Sequence, residues 1–402
     1  MGARWDLVAM TCRMGYHVSK EHLTQPRPTS LREVPPTPEH LTDEWLTLAL
    51  CDGVPGARVV GHELGPRNDG TSSRRTVHVD FNAAGQAAGL TADLFTKSGP
   101  TFATRLVSAA AGLGAIESAF YAQIRPGLDI EAPATQYSAF DPVSNRQLLI
   151  VDDITRTRGA VFGTILTRTL SRAQADQVVD TLAALHTRYW NAPLRNRFGH
   201  WLMDSYEWMA RLNVTIRAPQ RILVGMQRGR DVIPDRLFRR RDEVHAALMR
   251  SLEINTAGPQ TLLHGDVHPG NWYVAGDRMG LYDWQCMVRG GWARDLAYAL
   301  SSHLPPEDRR AWERALIARY RDAVLAAGHE LPDLDDCFLA YRQQMPHAMF
   351  MWLGTIGRYR LQPDMQPRDI TLESVRRTCQ AAEDLDTLDA LADPGRRRLA
   401  AV

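Results

Sequence analysis

Residues 262–274 read LLHGDVHPGNWYV, and GLYDWQ follows at 280–285. Apolar runs flank the polar residues of the first stretch, which predicts a loop between two short buried strands. The segment YVAGDRMGLYDW predicts a β-hairpin with AGDR as its turn. Because the two ends of a hairpin lie close together, we expect Asp266, Asn271 and Asp283 to converge on one point.

Three oxygen-bearing side chains in this arrangement suit a hard divalent cation. Mg²⁺ accepts carboxylate and amide oxygens, keeps several waters and shares its remaining positions with phosphate oxygens. An Asp followed five residues later by an Asn, with a second Asp after a short hairpin, resembles the protein-kinase catalytic loop and its magnesium-binding Asp. The spacing therefore indicates phosphoryl transfer.

Longer motifs carry a family resemblance. HGDVHPGN, YDW and RDLAYAL, preceded by LAALH at 182–186, resemble the aminoglycoside phosphotransferase and choline kinase family, most closely its broad bacterial phosphotransferase branch. In that family HGDxHxxN replaces the HRD loop of protein kinases. The resemblance covers about residues 55–360. It implies an α+β, protein-kinase-like two-lobe fold, with a small β-rich N-lobe that carries one main helix and a large helical C-lobe.

The resemblance also implies roles for the residues of the loop. Asp266 matches the catalytic base that accepts the proton of the acceptor hydroxyl, and Asn271 and Asp283 match the magnesium ligands. His268 stands where protein kinases have a phosphate-contacting lysine, so it is expected to steady the transferring group. His264 is expected to hold the loop through hydrogen bonds.

Four further positions belong to the same comparison. Lys97 ends a predicted strand and Glu117 lies on the following helix, which matches the strand lysine and helix glutamate that fix nucleotide phosphates in kinase-like enzymes. A solvated lysine at a strand end is the alternative. Asp295 is either a helix N-cap or an anchor beneath the catalytic loop. Gln285 departs from the family, which more usually has an acidic residue after the Trp.

The nucleotide-binding residues on the N-terminal side are less sharply marked. The segment 65–77 (GPRNDGTSSRRTV) contains Gly65, Gly70 and small hydroxyl residues but no GxGxxG motif. Its backbone N–H groups with Ser72 or Ser73 could cradle phosphate, or the segment could be only a hairpin turn. The adenine of ATP is expected against the backbone near Val151.

The order of predicted elements divides the chain into three parts. Residues 1–40 are polar and proline-rich and are predicted to be a tail or linker. Residues 41–154 predict a helix capped by Thr42, strands, one helix over 101–124 and two more strands: the N-lobe, which binds nucleotide phosphates. Residues 155–402 predict the helical C-lobe, with the catalytic loop, the metal site and the acceptor pocket.

Composition limits the possible partners. With 47 basic and 46 acidic residues the formal net charge is +1, which argues against a nucleic-acid binder. No membrane segment is expected, because the longest small-apolar stretch is short and contains a Glu. Five dispersed cysteines without a CxxC pair indicate a reducing, cytoplasmic setting.

The function expected from these patterns is an ATP- and Mg²⁺-dependent kinase that phosphorylates a hydroxyl of a small molecule. Sugars, polyols, amino alcohols, hydroxyacyl compounds and antibiotics are the candidate acceptors. A catalytically inactive nucleotide-binding regulatory module of the same fold is the alternative. A metallophosphoesterase is disfavoured because GNH-type ligand clusters are missing from the sequence. A protein kinase is disfavoured because only about ten residues separate Asp283 from RDLAYAL, too few for an activation loop.

Overall fold

Antiparallel strands dominate the first of two compact units, which comprises the residues up to Leu128 and Ala132–Ala160. A computed structural model describes residues 2–69, 72–199, 201–359, 362 and 365–392 of the chain. The helices of the first unit are α1 Gly2–Thr24, α2 Asp43–Leu50, α3 Ala83–Ala87, α4 Phe102–Ala111, α5 Leu113–Ala119 and α6 Ile154–Arg158. Its strands are β1 Val59–Leu64, β2 Asn68–Asp69, β3 Ser73–Phe81, β4 Asp93–Ser98, β5 Thr135–Asp141 and β6 Arg146–Asp152.

The six strands form one sheet in the order β1-β3-β4-β6-β5, with β2 paired to β3. Every pairing is antiparallel. Val77, Leu94, Leu148 and Ile150 come from three neighbouring strands and pack with Trp45 of α2 into one buried cluster. Burial of these apolar side chains is the main stabilising contribution to this unit. The strands predicted from the sequence are confirmed.

The helix predicted over residues 101–124 is interrupted. Gly112 adopts φ +76°, in the left-handed region, where it ends α4 and begins α5. Glycine takes this conformation without steric cost, so it terminates one helix and allows the next to start in a new direction. A single π-helical turn, Phe120–Ile124, follows α5.

The predicted N-terminal tail is wrong, since Gly2–Thr24 is helical. Glu21 near its end is buried and accepts hydrogen bonds at 2.8 Å from Nη1 of Arg105 and from Nε of Arg146. The proline-rich segment that follows is also anchored, because Val34 packs into the buried cluster. Partners far along the chain hold this region, and the local sequence pattern does not indicate them.

The second unit comprises Asp129–Glu131 and the chain from Val161 onward. Its helices are α7 Arg172–Arg188, α8 Leu194–Phe198, α9 Ser205–Thr215, α10 Ala218–Arg228, α11 Asp235–Arg239, α12 Val244–Ala257, α13 Ala293–His303, α14 Pro306–Ala326, α15 Leu334–Gln343, α16 Met345–Ile356, α17 Arg368–Asp384 and α18 Thr387–Ala392. Its strands are β7 Val161–Phe162, β8 Thr261–Leu263, β9 Trp272–Ala275, β10 Arg278–Leu281 and β11 Val288–Gly290.

Small sheets interrupt the helices of the second unit where the polar loop lies. Strands β9 and β10 form the predicted hairpin, with Ala275 opposite Arg278 and a two-residue turn between them. Strand β7 pairs with β9, and β11 pairs with β8. The predicted hairpin is therefore confirmed.

A second predicted helix is also divided in two. The sequence from Asp333 to Ile356 reads as one helix, but α15 ends at Gln343 and α16 begins at Met345. Pro346 explains the break, because its ring lacks an N–H and clashes with the carbonyl four residues earlier. The same proline is well tolerated in the first turn of α16.

Two observations concern the cellular setting. Across the described ranges, no helix combines the length and the apolar character that a bilayer span requires. The five cysteines are free thiols, and four of them are buried. The cytoplasmic location remains a prediction.

Candidate active site

The predicted catalytic loop leaves β8 at Leu263 and ends in a short 3₁₀ turn, Pro269–Asn271. Nδ2 of Asn271 lies 2.7 Å from the backbone oxygen of Asp266 and 3.2 Å from its Oδ2. The hydroxyl of Tyr298 donates to the other carboxylate oxygen, Oδ1, at 3.2 Å. Asp266 is thus buried in a loop that hydrogen bonds from Asn271 close, and each of its carboxylate oxygens accepts one hydrogen bond.

His264 has the structural role expected of it. Its Nδ1 accepts a hydrogen bond from the backbone N–H of Asp266 at 3.2 Å, so the ring proton is on Nε2, which donates to the oxygen of Tyr282 at 3.1 Å. Complete burial lowers the pKa of His264, against the opposing charges of Asp295 and Asp266. The neutral ring therefore ties the loop to the end of the hairpin.

Asp295 is an anchor of the loop, and its interpretation as an N-cap is wrong. Helix α13 begins at Ala293, and the Asp295 carboxylate accepts from the backbone N–H of His264 at 2.7 Å and of Gly265 at 3.0 Å. Burial alone raises its pKa, but the hydrogen bond and charge of His186 hold the pKa of Asp295 below its ordinary value. A fully buried carboxylate with charge-assisted bonds of this kind fixes the backbone firmly.

The loop also depends on a close backbone approach at Gly265. This residue has φ +80°, and a Cβ there would lie 2.2 Å from the backbone oxygen of Cys286. Any side chain would therefore displace the segment after the hairpin. Nε2 of His347, on α16, donates to the oxygen of Gly265 at 2.9 Å.

His268 lies beside the carboxylate, with its Nε2 3.8 Å from Oδ2 of Asp266. Its Nδ1 accepts from the backbone N–H of Gly270 at 3.0 Å, which leaves the ring proton on Nε2. The ring packs edge-on against Trp352, with centroids 5.1 Å apart. The geometry places a donor next to the proposed base, and the contact with a transferring phosphoryl group stays a prediction.

The ends of the hairpin meet as expected. The backbone N–H of Tyr282 donates to the oxygen of Asn271 at 3.1 Å, which brings the following residue, Asp283, to the side of the loop. Asp283 is buried and has φ +64°, an unusual conformation for a residue with a side chain. Strain of this kind is concentrated at functional sites.

The donor set fits a hard cation. Because Nδ2 of Asn271 is bonded to Asp266, its Oδ1 faces away from that residue and is a potential ligand, as is the carboxylate of Asp283. Mg²⁺ needs only one or two carboxylates when phosphate and water complete its shell. In the part of the chain that the structure describes, no three His, Cys, Asp or Glu side chains group as a metal site, and this pair contains only one carboxylate.

In the first unit, Lys97 and Glu117 form the predicted pair. Nζ of Lys97 lies 2.8 Å from Oε1 of Glu117, and Nε2 of Gln147 donates to Oε2 at 2.8 Å. The lysine side chain is 6% exposed, which excludes a solvated strand-end lysine.

The other predicted nucleotide-binding residues lie in the same sheet or directly beside it. Ser72 is buried, and its Oγ has no hydrogen-bond partner among the described residues, while Ser73 begins β3 opposite Ser98. Gly70, the second glycine of the predicted phosphate loop, lies outside the described residues. Val151 lies in β6, paired with β4 and β5 on its two sides. The phosphate and adenine contacts of these residues remain predictions.

A cavity of about 540 Å³ in the second unit is lined by parts of α12, the start of α13 and α15. None of the predicted site residues lines it. Two segments rich in aromatic residues, 189–212 and 347–359, contain Trp208 and Trp352, both of which are buried. These two side chains therefore belong to the core.

Tyr298, His186 and His347 are contacts of the loop that the sequence interpretation missed. Tyr298 could have been found, because it follows Asp295 by three residues on a helix and so lies on the same face. His186 and His347 are distant in sequence and have no local signal. Both contact the loop or its anchor only through tertiary packing.

Comparisons with known proteins agree with the motifs. The model of the phosphotransferase enzyme family matches residues 116–334, more than half of the chain. No curated protein matches the sequence.

Solved structures with a similar course of the chain include three phosphotransferases. A macrolide 2'-phosphotransferase from Brachybacterium faecium is 14% identical with a TM-score of 0.43, covering 75% of this chain and 88% of its own. An aminoglycoside phosphotransferase from Alicyclobacillus acidocaldarius is 17% identical with a TM-score of 0.41, covering 82% and 92%. A choline kinase from Streptococcus pneumoniae is 12% identical with a TM-score of 0.44, covering 81% and 94%. These values are too low to inform on substrate.

The family match extends over Glu117, the catalytic loop, the hairpin and α13. The expected kinase-like α+β fold is thereby confirmed. The chain belongs to the phosphotransferase enzyme family.

Proposed function

We propose that the protein is an ATP- and Mg²⁺-dependent kinase that transfers the γ-phosphate to a hydroxyl of a small molecule. The observation that carries the proposal is the Asp266 carboxylate, which is held on both oxygens beside the candidate metal ligand Asn271. A carboxylate fixed in this way next to a cation site suits a base for an incoming hydroxyl.

The chemistry follows from these positions. Asp266 accepts a hydrogen bond from the acceptor hydroxyl and takes its proton as the oxygen bonds to the γ-phosphorus. The bond from that phosphorus to the bridging oxygen breaks, and ADP leaves with the electron pair. Asn271 and Asp283 would hold Mg²⁺, which when bound offsets the charge of the phosphate oxygens. His268 would donate from Nε2 to an oxygen of the group in transit.

The first unit would bind the nucleotide. Lys97 presents a compact positive charge, and Glu117 holds that charge through its 2.8 Å contact. The role proposed for residues 41–154 is to bind the phosphates, with Ser72, Ser73 and the backbone near Val151 as further contacts. Residues 155–402 would supply the base, the metal ligands and the acceptor pocket.

An inactive nucleotide-binding module is the second candidate. The residues proposed as base and metal ligands are all present, as is the lysine–glutamate pair, which favours an active enzyme. Sugars, polyols, amino alcohols, hydroxyacyl compounds and antibiotics are the acceptor classes to test.

The decisive test has two stages. Thermal unfolding is measured with Mg-ATP, with ATP plus EDTA, and with Mg²⁺ alone. A ligand at about 100 times its Kd stabilises the folded state by about 2.7 kcal/mol, so a shift that needs both components supports the metal-nucleotide site.

ADP release is then measured with one acceptor from each class. An increase that depends on the acceptor identifies the reaction. Binding of Mg-ATP without turnover across the panel would favour the inactive module, and no binding at millimolar Mg-ATP would refute both candidates.

A further inference from the structure

We propose that Tyr298 is a positioning residue for phosphoryl transfer, whose hydroxyl fixes the Asp266 carboxylate in the orientation that meets the acceptor hydroxyl. This role rests on the proposed function. Tyr298 lies within the RDLAYAL motif, but the motif comparison assigns it no role. Its place is on α13, behind the loop that carries the proposed base.

The first step is the contact itself. The Tyr298 hydroxyl donates to Oδ1 of Asp266 at 3.2 Å, and the tyrosine is 1% exposed. Burial, with the nearby charge of Asp266, raises the pKa of Tyr298 well above its ordinary value. The hydroxyl therefore keeps its proton and serves the carboxylate as a donor.

The second step is the orientation of the carboxylate. The terminal torsion of an aspartate is broad, so one hydrogen bond leaves the carboxylate plane free to turn. Asn271 donates to Oδ2 at 3.2 Å while Tyr298 donates to Oδ1 at 3.2 Å. Two donors from different elements define the plane. Because a carboxylate offers about four acceptor positions, each oxygen retains capacity for an acceptor hydroxyl.

The third step is the support for Tyr298. Asp295 precedes it by three residues on α13, and positions three apart share a helix face. Asp295 holds the backbone of the loop at His264 and Gly265, while Tyr298 holds the side chain of the proposed base. One helix face thus sets both the path of the loop and the direction of its carboxylate.

A tyrosine that only fills space is the competing explanation. The Tyr298 ring packs edge-on against His347, with centroids 5.5 Å apart, and phenylalanine would keep that contact. Tyr298→Phe therefore removes the hydrogen bond and retains the packing. Tyr341→Phe is the matched control, because Tyr341 is also fully buried and its hydroxyl donates to a carboxylate, Oε2 of Glu313, at 3.0 Å.

The experiment compares the two variants with the full-length wild type. Thermal unfolding reports the loss of a buried hydroxyl, titration calorimetry gives the Kd of Mg-ATP, and ADP release gives kcat. Water is the phosphate acceptor in this assay, so that no acceptor needs to be identified first. Misorientation of a general base costs about 10- to 100-fold, so we expect kcat to fall by that factor in Tyr298→Phe with the Kd unchanged. Tyr341→Phe should keep the wild-type kcat, while both variants unfold at a similarly lowered temperature.

The outcomes separate this role from the function on which it rests. If the wild type turns over ATP and Tyr298→Phe does so within twofold of Tyr341→Phe, the positioning role is refuted and the kinase proposal stands. If Tyr298→Phe loses Mg-ATP affinity and kcat in proportion, Tyr298 supports the nucleotide site as a whole and the role is again refuted. If the wild type binds Mg-ATP but releases no ADP either with water or with any acceptor class of the panel, the kinase proposal fails and the role fails with it.

Discussion

Nζ of Lys97 lies 2.8 Å from Oε1 of Glu117, and both side chains are buried. Gln147 occupies the second oxygen of the glutamate, so the carboxylate is held from two sides. Removal of one partner from a buried pair lowers protein stability by far more than the net contribution of the pair, because the remaining charge stays desolvated.

Glu117→Gln should therefore reduce the free energy of unfolding by about 3 kcal/mol, because it removes the negative charge from a buried ion pair. We also expect weaker Mg-ATP binding, since the lysine is no longer held. Urea unfolding and titration calorimetry measure the two effects. Glu63→Gln, on the exposed side of β1, is the control. Wild-type stability and Mg-ATP affinity in Glu117→Gln would refute the structural role of the pair.

Asp266→Ala should abolish most phosphoryl transfer but leave the binding of Mg-ATP nearly unchanged. Removal of a general base costs about 10²- to 10⁴-fold in kcat, and the Kd of Mg-ATP should stay within about threefold. Acceptor-dependent ADP release gives kcat, and titration calorimetry gives the Kd of Mg-ATP. Full residual turnover would show that Asp266 is not the base.

Asp283→Ala, unlike Asp266→Ala, should weaken the binding of Mg-ATP. As a proposed ligand of Mg²⁺, this carboxylate contributes to the metal-nucleotide complex itself, so the Kd of Mg-ATP should rise by at least about tenfold. The thermal shift that requires both Mg²⁺ and ATP should shrink accordingly. Asp277→Ala, an exposed residue in the hairpin turn, is the matched control. Equal Mg-ATP affinity in the two variants would exclude the metal role of Asp283.

Asp295→Asn should loosen the catalytic loop. An amide cannot accept from both His264 and Gly265 as the carboxylate does, so we expect a loss of about 2–3 kcal/mol in the free energy of unfolding at neutral pH. The control is Asp335→Asn, which breaks an exposed ion pair with Arg314 of the kind that contributes little. Similar losses in the two variants, by urea unfolding, would argue against the anchoring role.

Acid sensitivity should depend on His303, the last residue of α13. Burial lowers its pKa to about 3, whereas the unfolded chain protonates this side chain near its ordinary value of 6.5. A lowered histidine pKa means that the unfolded state gains a proton first, so this contribution to stability is present above pH 6.5 and declines between 6.5 and 3.

The histidine contribution can be isolated with His303→Gln. The wild type should lose about 1 kcal/mol more than the variant between pH 6.5 and 5.5, measured by urea unfolding at both values. A constant difference between His303→Gln and the wild type over this interval would contradict the prediction.

The predicted catalytic loop could be identified from the sequence because the residues that shape it are close neighbours along the chain. His264, Asp266 and Asn271 lie within eight residues and bond to one another, and a two-residue turn suffices to return the chain to Asp283. The N-cap Thr42 is equally local, and its side chain accepts a hydrogen bond from the first turn of α2 as expected.

The features that could not be predicted depend on distant partners. Helix α1 is anchored by Glu21 to Arg105 and Arg146, an interaction without any pattern in the first forty residues. His347 meets Gly265 only after α16 has packed. The helix breaks at Gly112 and Pro346 had visible causes, but both residues also occur within continuous helices, so their effect was underestimated.

The ion pairs of Glu21 constrain when contacts can form during synthesis. Its partner Arg146 lies 125 residues further along the chain. On the ribosome, this ion pair can therefore form only after strand β6 has left the exit tunnel.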